Sequence, residues 1–400
     1  MKNIYQRLSN FLLPMLCFTI LTARGQNEPH EIVIAPTINW GATPPIPVAL
    51  EGFTGDVLNT LEFDLYVQGF SFVSPGAAQY VISGSNAGNV QGSIIQPPGK
   101  SPLLSRSYSG ASEHAQAHAF ANDIVEAITG QPGISLLRGS TARIAFKQEQ
   151  PDGNGEIYVS DFDGRNAEAV THDNVIVSHP SWIPGRLALF YNSYKLNNPD
   201  IFYHNLATGE RRVVAHYSGS NISPAASSDG TRVAMILSKG GSPNVYVANI
   251  DGSGLKKLTD TSEDSSPCWS PNGEWICFAT KIKYHRVLAK VPAGGGAVQT
   301  LRIVGAPNPT EPSWSPDGKW IAFTAQSSEF DICVAPAGGG DATVLVRGEE
   351  PSWAPNSRTL VYARRTPSYR YVLSVLDAPT KQFKTLTDLS GSDSEPAWAR

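Results

Sequence analysis

Along the C-terminal two-thirds of the chain, apolar side chains come in short runs cut by turn residues, with no helical heptads between them. In Glu311-Pro312-Ser313-Trp314-Ser315-Pro316-Asp317-Gly318-Lys319-Trp320-Ile321-Ala322-Phe323 the pattern predicts a strand, a tight turn and a second strand. Pro316 fixes φ, Asp317 bonds its own backbone, and Gly318 accepts positive φ. Trp314, Ile321 and Phe323 supply the apolar positions of the flanking strands. Such a hairpin is marginal alone in water and needs neighbours.

The neighbours are variants of itself. They begin at His179-Pro180-Ser181-Trp182, Ser223-Pro224-Ala225-Ala226, Ser266-Pro267-Cys268-Trp269, Glu350-Pro351-Ser352-Trp353 and Glu395-Pro396-Ala397-Trp398. The six marker prolines at 180, 224, 267, 312, 351 and 396 are separated by 44, 43, 45, 39 and 45 residues. A period of roughly 40–45 residues with four short strands per unit, lettered A to D in chain order with the marker proline in A, is the signature of propeller blades. Seven of the eight tryptophans fall inside these units, so the same period organises the core. The expected fold is an all-β six-bladed β-propeller over residues 139–400. One B strand, Arg143 to Phe146, precedes every marker, and the last A strand, Glu395 to Ala399, has no successor. The C-terminal strand is therefore expected to join the sheet of Arg143 to Phe146 and close the first blade, leaving no inner edge exposed.

The N-terminal third patterns differently. Val48, Leu50, Phe53, Val57, Leu58 and Leu61 recur mostly at three- and four-residue spacing and predict an amphipathic helix over 47–62. A second helix is predicted over 112–129, stopped by Gly130. Phe70 to Val73, Tyr80 to Gly84 and Ser105 to Ser109 read as strands, while 85–104 carries no clear pattern. Strands alternating with helices make residues 26–138 a small α/β domain. Ahead of it, Lys2 and Arg7, an apolar run from Phe11 to Ala23, and Ala23-Arg24-Gly25 read as a signal peptide cleaved after residue 25. Glu31-Ile32-Val33-Ile34 is either an edge strand of its own domain or a mobile arm that adds to a partner's sheet.

Without residues 1–25 the chain has 28 basic and 35 acidic side chains, a net charge near −7, which argues against nucleic acid as a partner. Cys268, Cys277 and Cys333 make no disulfide framework. Cys277 is expected to fill core, and a bond to Cys268 across the hairpin depends on register. His114 and His118 have the i, i+4 spacing that metal sites use, but no HExxH motif and no third ligand at a suggestive spacing accompany them. They are read as a helix face at the domain join, and no metal or other cofactor is expected. Asp161-Phe162-Asp163-Gly164 and Asp251-Gly252-Ser253-Gly254 lack the spacing of calcium loops and read as hairpin turns. No G-x-S-x-G nucleophile elbow is present. A secreted propeller enzyme acting on polysaccharide or peptide is the alternative class. It requires converging His, Tyr, Arg or metal ligands, whereas His179, His204, His216 and His285 are scattered over different strand positions.

The residues before the marker prolines, His179, Ser223, Ser266, Glu311, Glu350 and Glu395, are expected to line one mouth of the central channel. Glu263, Asp264 and Asp393 come from neighbouring loops, and Tyr284 and Arg365 from B–C loops that also carry Lys281 and Lys283. This is either a rim of mixed sign that captures a partner's basic or donor-rich loop, or a set of solvated charges before strand prolines.

The arrangement resembles the TolB family, the periplasmic propeller proteins of the Tol–Pal system. His118 to Gly130 resembles the family's last helix before the propeller, and Arg143 to Phe146 with Glu156 to Gly164 its opening blade. Glu31 to Ile34 resembles its mature start. The second repeat departs from the turn motif, with Ala226 where the others have Trp. The resemblance implies a non-catalytic periplasmic adaptor without cofactor. It implies that the lipoprotein Pal binds the propeller mouth, for which His179, Glu263, Asp264, Tyr284, Glu311, Glu350, Arg365 and Glu395 are the candidates. TolA would bind Glu31, Ile32, Val33 and Ile34, with other outer-membrane proteins as further candidates and membrane contact only through partners. Such a protein serves outer-membrane integrity and cell division.

Overall fold

The computed structural model describes residues 40–110, 112–134 and 142–399. The signal peptide, Glu31, Ile32, Val33 and Ile34, and the expected domain boundary at 138/139 lie outside the described residues.

The α/β part runs β1 (Ile46–Glu51), α1 (Gly55–Tyr66), β2 (Phe70–Phe72), β3 (Tyr80–Ser85), β4 (Gln91–Ile95), β5 (Leu104–Ser107) and α2 (Glu113–Thr129). The sheet order is β2-β1-β3-β4-β5; β1 is parallel to β2 and β3, and the other pairs are antiparallel. The helix expected over 47–62 is corrected here. Val48 and Leu50 belong to β1, because their two-residue spacing fits a strand as well as a helix. Gly52, at φ 82°, breaks the run, and a Cβ there would meet the Gly84 carbonyl oxygen at 2.1 Å. Extended Thr54 then opens α1. The stretch 85–104 contains β4. Around α2 the expectations hold: Ser112 Oγ accepts from the Ala115 N–H, and Gly130 ends the helix at φ 68°. Val57, Leu61 and Leu65 of α1 and Phe120 and Ile124 of α2 pack on Val48, Ile82 and Ile94 of the sheet. Each fully buried side chain of this kind contributes about 1.5–3 kcal/mol.

The rest is a six-bladed propeller, six four-stranded antiparallel sheets among the described residues, with a small extra pair, Ile303–Val304 and Gly340–Asp341. The first blade is Ser392–Trp398, Arg143–Glu149, Gly155–Asp161 and Glu168–Ala169. Trp398 pairs with Ile144 and Ala397 with Ala145, so the last strand closes the ring as expected. In the second blade the B strand Ala188–Ser193 is buried at every position, because sheets press on both its faces.

In the third, fourth and fifth blades the tight turn is built from its own polar residues. Ser315 Oγ donates to Asp317 Oδ1 at 2.5 Å and accepts from the Trp320 N–H at 3.0 Å, while Asp317 Oδ1 accepts from the Lys319 N–H at 3.1 Å. Ser227 with Asp229, and Ser270 with Asn272, repeat this ring. Between blades, tryptophan indoles reach backward: Trp182, Trp269 and Trp353 donate to the carbonyls of Ala397, Ala225 and Ser313. Where Ala226 replaces Trp, the link is its N–H donated to Ser181 Oγ at 3.3 Å.

The α/β part rests on the first and sixth blades, at the end of the ring that carries the C–D turns. Val67 joins the cluster of Ile144, Phe162, Val361 and Trp398. Trp40, the one tryptophan outside the repeats, packs edge-on to Trp320 at 5.1 Å and beside Trp353 at 5.8 Å. Cys268 and Cys277 face each other in register as free thiols.

Candidate functional site

Each inner strand carries a bulge at its marker proline. The residue before that proline takes positive φ in all six blades: His179 at 52°, Ser223 at 53°, Ser266 at 51°, Glu311 at 50°, Glu350 at 59° and Glu395 at 55°. Left-handed backbone costs a non-glycine residue of order 1 kcal/mol and persists only where its surroundings enforce it. Here the six residues line one cavity of about 410 Å³ on the propeller axis, bringing together the whole set expected from the sequence.

Four of them are linked in one direction. The Glu350 N–H donates to Glu311 Oε2 at 3.1 Å, the Glu395 N–H to Glu350 Oε2 at 2.5 Å, and the His179 N–H to Glu395 Oε2. Each carboxylate thus accepts the bulge amide of the next blade, across the fifth, sixth, first and second blades. At the following step the Ser223 N–H donates to Asn192 Oδ1 at 3.0 Å instead. Burial, then the Glu395 and Glu311 carboxylates, push Glu350 well above the usual carboxylate range. Burial and Glu311 likewise raise Glu349 beside it.

The other candidates divide. Glu263 pairs with Lys281 at 3.1 Å on the mouth end of the fourth blade. Tyr284 tops the adjoining hairpin and is 93 % exposed. Arg365 lies over the rings of Tyr369 and Tyr371 at the same end of the sixth blade. Asp264 does not face the mouth. It is buried, and the hydroxyls of Thr259, Thr261 and Thr280 donate to its carboxylate at 2.5–2.8 Å, so it braces the strand from inside. Asp393 is similarly buried and accepts from Gln148 Nε2 at 2.9 Å.

Two supporting residues were missed, Asn192 and Thr324. Thr324 Oγ1 donates to Glu311 Oε2 at 2.7 Å and accepts the Glu350 N–H at 3.0 Å. Both are fully buried, and a polar residue inside an otherwise apolar B strand was the available signal. His179 lines the cavity, 3.5 Å from Glu395, whereas His204 lies on a C strand, His216 pairs with Asp200, and His285 starts a hairpin strand of the fourth blade. Burial and then Arg211 push His204 down to about 4. His114 and His118 sit at the opposite end of the ring, where α2 meets the first blade. No helix among the described residues is long and apolar enough to cross a membrane.

A family model described as TolB beta propeller domain matches residues 125–400. Tol-Pal system protein TolB from Francisella tularensis subsp. mediasiatica is 32% identical over 149 residues, 36% of this chain and 34% of that protein. Its counterpart in subsp. tularensis is 32% identical over 147 residues, again 36% and 34% of the two chains. The alignments thus span about a third of the length of these curated relatives. The crystal structure of TolB from Acinetobacter baumannii matches with a TM-score of 0.79 at 23% identity, covering 90% of this chain and 98% of that one. A chain of a nidogen/laminin complex matches with a TM-score of 0.53 at 13% identity, covering 65% and 98%. Both structural likenesses concern the fold.

Proposed function

The chain belongs to the TolB β-propeller family, and from that premise we propose a non-catalytic periplasmic adaptor of the Tol–Pal system. Its propeller mouth holds Pal and its N-terminal segment, Glu31 to Ile34, engages TolA, in the service of outer-membrane integrity and cell division. The observation that carries the reading is the run of Glu311, Glu350 and Glu395 on adjacent blades around one cavity. Each carboxylate already accepts a neighbour's amide, yet Glu350 is disfavoured as an anion by burial and by the other two. A basic or donor-rich loop entering the mouth relieves that repulsion, while exposed Tyr284 and Arg365 supply contacts at the rim.

The test is calorimetry of the chain from residue 26 with the soluble domain of Pal. Tyr284→Ala and Glu350→Gln are each expected to weaken binding about 10-fold, or about 1.4 kcal/mol. Deleting residues 26–34 should leave Pal affinity unchanged and alter TolA binding. Absence of Pal binding by the wild-type chain would sink the adaptor reading, and an unchanged TolA contact its N-terminal half.

A further inference from the structure

Away from the mouth, two ring nitrogens of one helix and a carboxylate oxygen from a distant turn converge. His114 and His118 are one turn apart on α2, and Asp163 lies in the C–D turn of the first blade. His114 Nε2 is 2.7 Å from Asp163 Oδ2 and 3.0 Å from His118 Nε2, and His118 Nε2 is 3.6 Å from Asp163 Oδ2. Ligands held about 2.0–2.1 Å from one tetrahedral ion stand about 3.3–3.4 Å apart. The three observed separations bracket that edge.

The surroundings fit a cation as well. His118 Nδ1 is 2.6 Å from Asp64 Oδ2 on α1. One proton shared there leaves Nε2 as the ring's free lone pair, the carboxylate–histidine arrangement that orients metal-bound imidazoles. Asp64 is 2 % exposed, and its Oδ1 has no hydrogen-bond partner among the described residues. Arg165 Nε approaches Asp163 Oδ2 at 3.7 Å, but its guanidinium also serves Asp56 at 2.5 Å and Asp388 at 3.6 Å. Among the described residues the carboxylates of Asp56, Asp64, Asp163 and Asp388 outnumber Arg165 and Lys384 around the cluster. Phe162 lies 4.9 Å from the His118 ring and walls the cluster from the core side. Two imidazoles and one carboxylate suit a first-row divalent ion better than calcium or magnesium, which prefer all-oxygen shells.

We propose that His114, His118 and Asp163 bind a divalent transition-metal ion of the zinc class, which clamps α2 to the first blade. The ion takes the place of the proton between the two Nε2 atoms, and Asp64 positions His118 without touching the metal.

The experiment uses the whole chain from residue 26, stripped with chelator and titrated with Co²⁺ and then Zn²⁺. One equivalent of Co²⁺ is expected to give visible d–d absorption that Zn²⁺ abolishes, with a rise in Tm that chelator reverses. His114→Ala and Asp163→Asn should lose the absorption and the metal-dependent rise, and Asp64→Asn should weaken Zn²⁺ by about 10–100-fold. His216→Ala, at a separate His–Asp pair, should change nothing. Circular dichroism checks that each variant folds, and His114→Gln stands in if the alanine variant does not. Failure of the folded wild-type chain to bind one equivalent overturns the proposal, as does binding that survives in His114→Ala or Asp163→Asn.

Discussion

At Glu350, burial and two neighbouring carboxylates raise the folded-state pKa above the ordinary 4.5. A carboxyl raised in this way holds its proton more tightly folded than unfolded. Between the two values the unfolded chain binds fewer protons, so stability falls as pH climbs from 4.5 through the raised value. Glu350→Gln keeps an oxygen for the Glu395 N–H and removes the charge. Its Tm should match the wild type below pH 4.5 and exceed it at pH 7, read from melting curves across that range; parallel curves would refute the assignment. The same substitution is expected to weaken Pal, so stability and binding make opposite demands on one side chain. Of the mouth, the sequence made the six bulge positions readable because a proline marks each one. It could not separate exposed Glu263 from buried Asp264, its immediate neighbour. Which of two adjacent acids turns inward depends on three threonine hydroxyls that only the folded strand assembles.

The tight turn is the element that makes one blade resemble the next. Ser315 is fully buried, and its hydroxyl serves both Asp317 and the Trp320 amide. Ser315→Ala should cost about 1–3 kcal/mol by leaving that amide unpaired. Asp317→Asn should be mild, since Asn272 fills the same role in the fourth blade. Denaturant melts of the two variants test the contrast, and equal losses would refute it. Strands and turns were readable because their chemistry is local and repeated. The helix expected over 47–62 was not, because six apolar residues spaced loosely by two, three and four satisfy both periods until Gly52 decides between them. Trp40 and Asp163 meet partners distant in sequence, and nothing in their local sequence announces it.

For the whole molecule, the decisive contact is Ser392–Trp398 against Arg143–Glu149. Trp398 is 3 % exposed and stacks 6.1 Å from Phe162, in the same cluster as Val67 of the α/β part. Removing residues 392–400 strips the inner strand from the first blade and bares the edge of Arg143–Glu149. That truncation is expected to aggregate or to lose its cooperative melt, measured by light scattering and calorimetry. A soluble monomer with a wild-type transition would show that closure is dispensable. The sequence foretold this join because one inner strand was left over at the tail. A ribosome makes the earliest sheet of the ring first and its missing partner last, on the order of tens of seconds apart. Throughout that delay the newborn polypeptide presents an unpaired strand border, so the ring cannot shut until its tail has emerged.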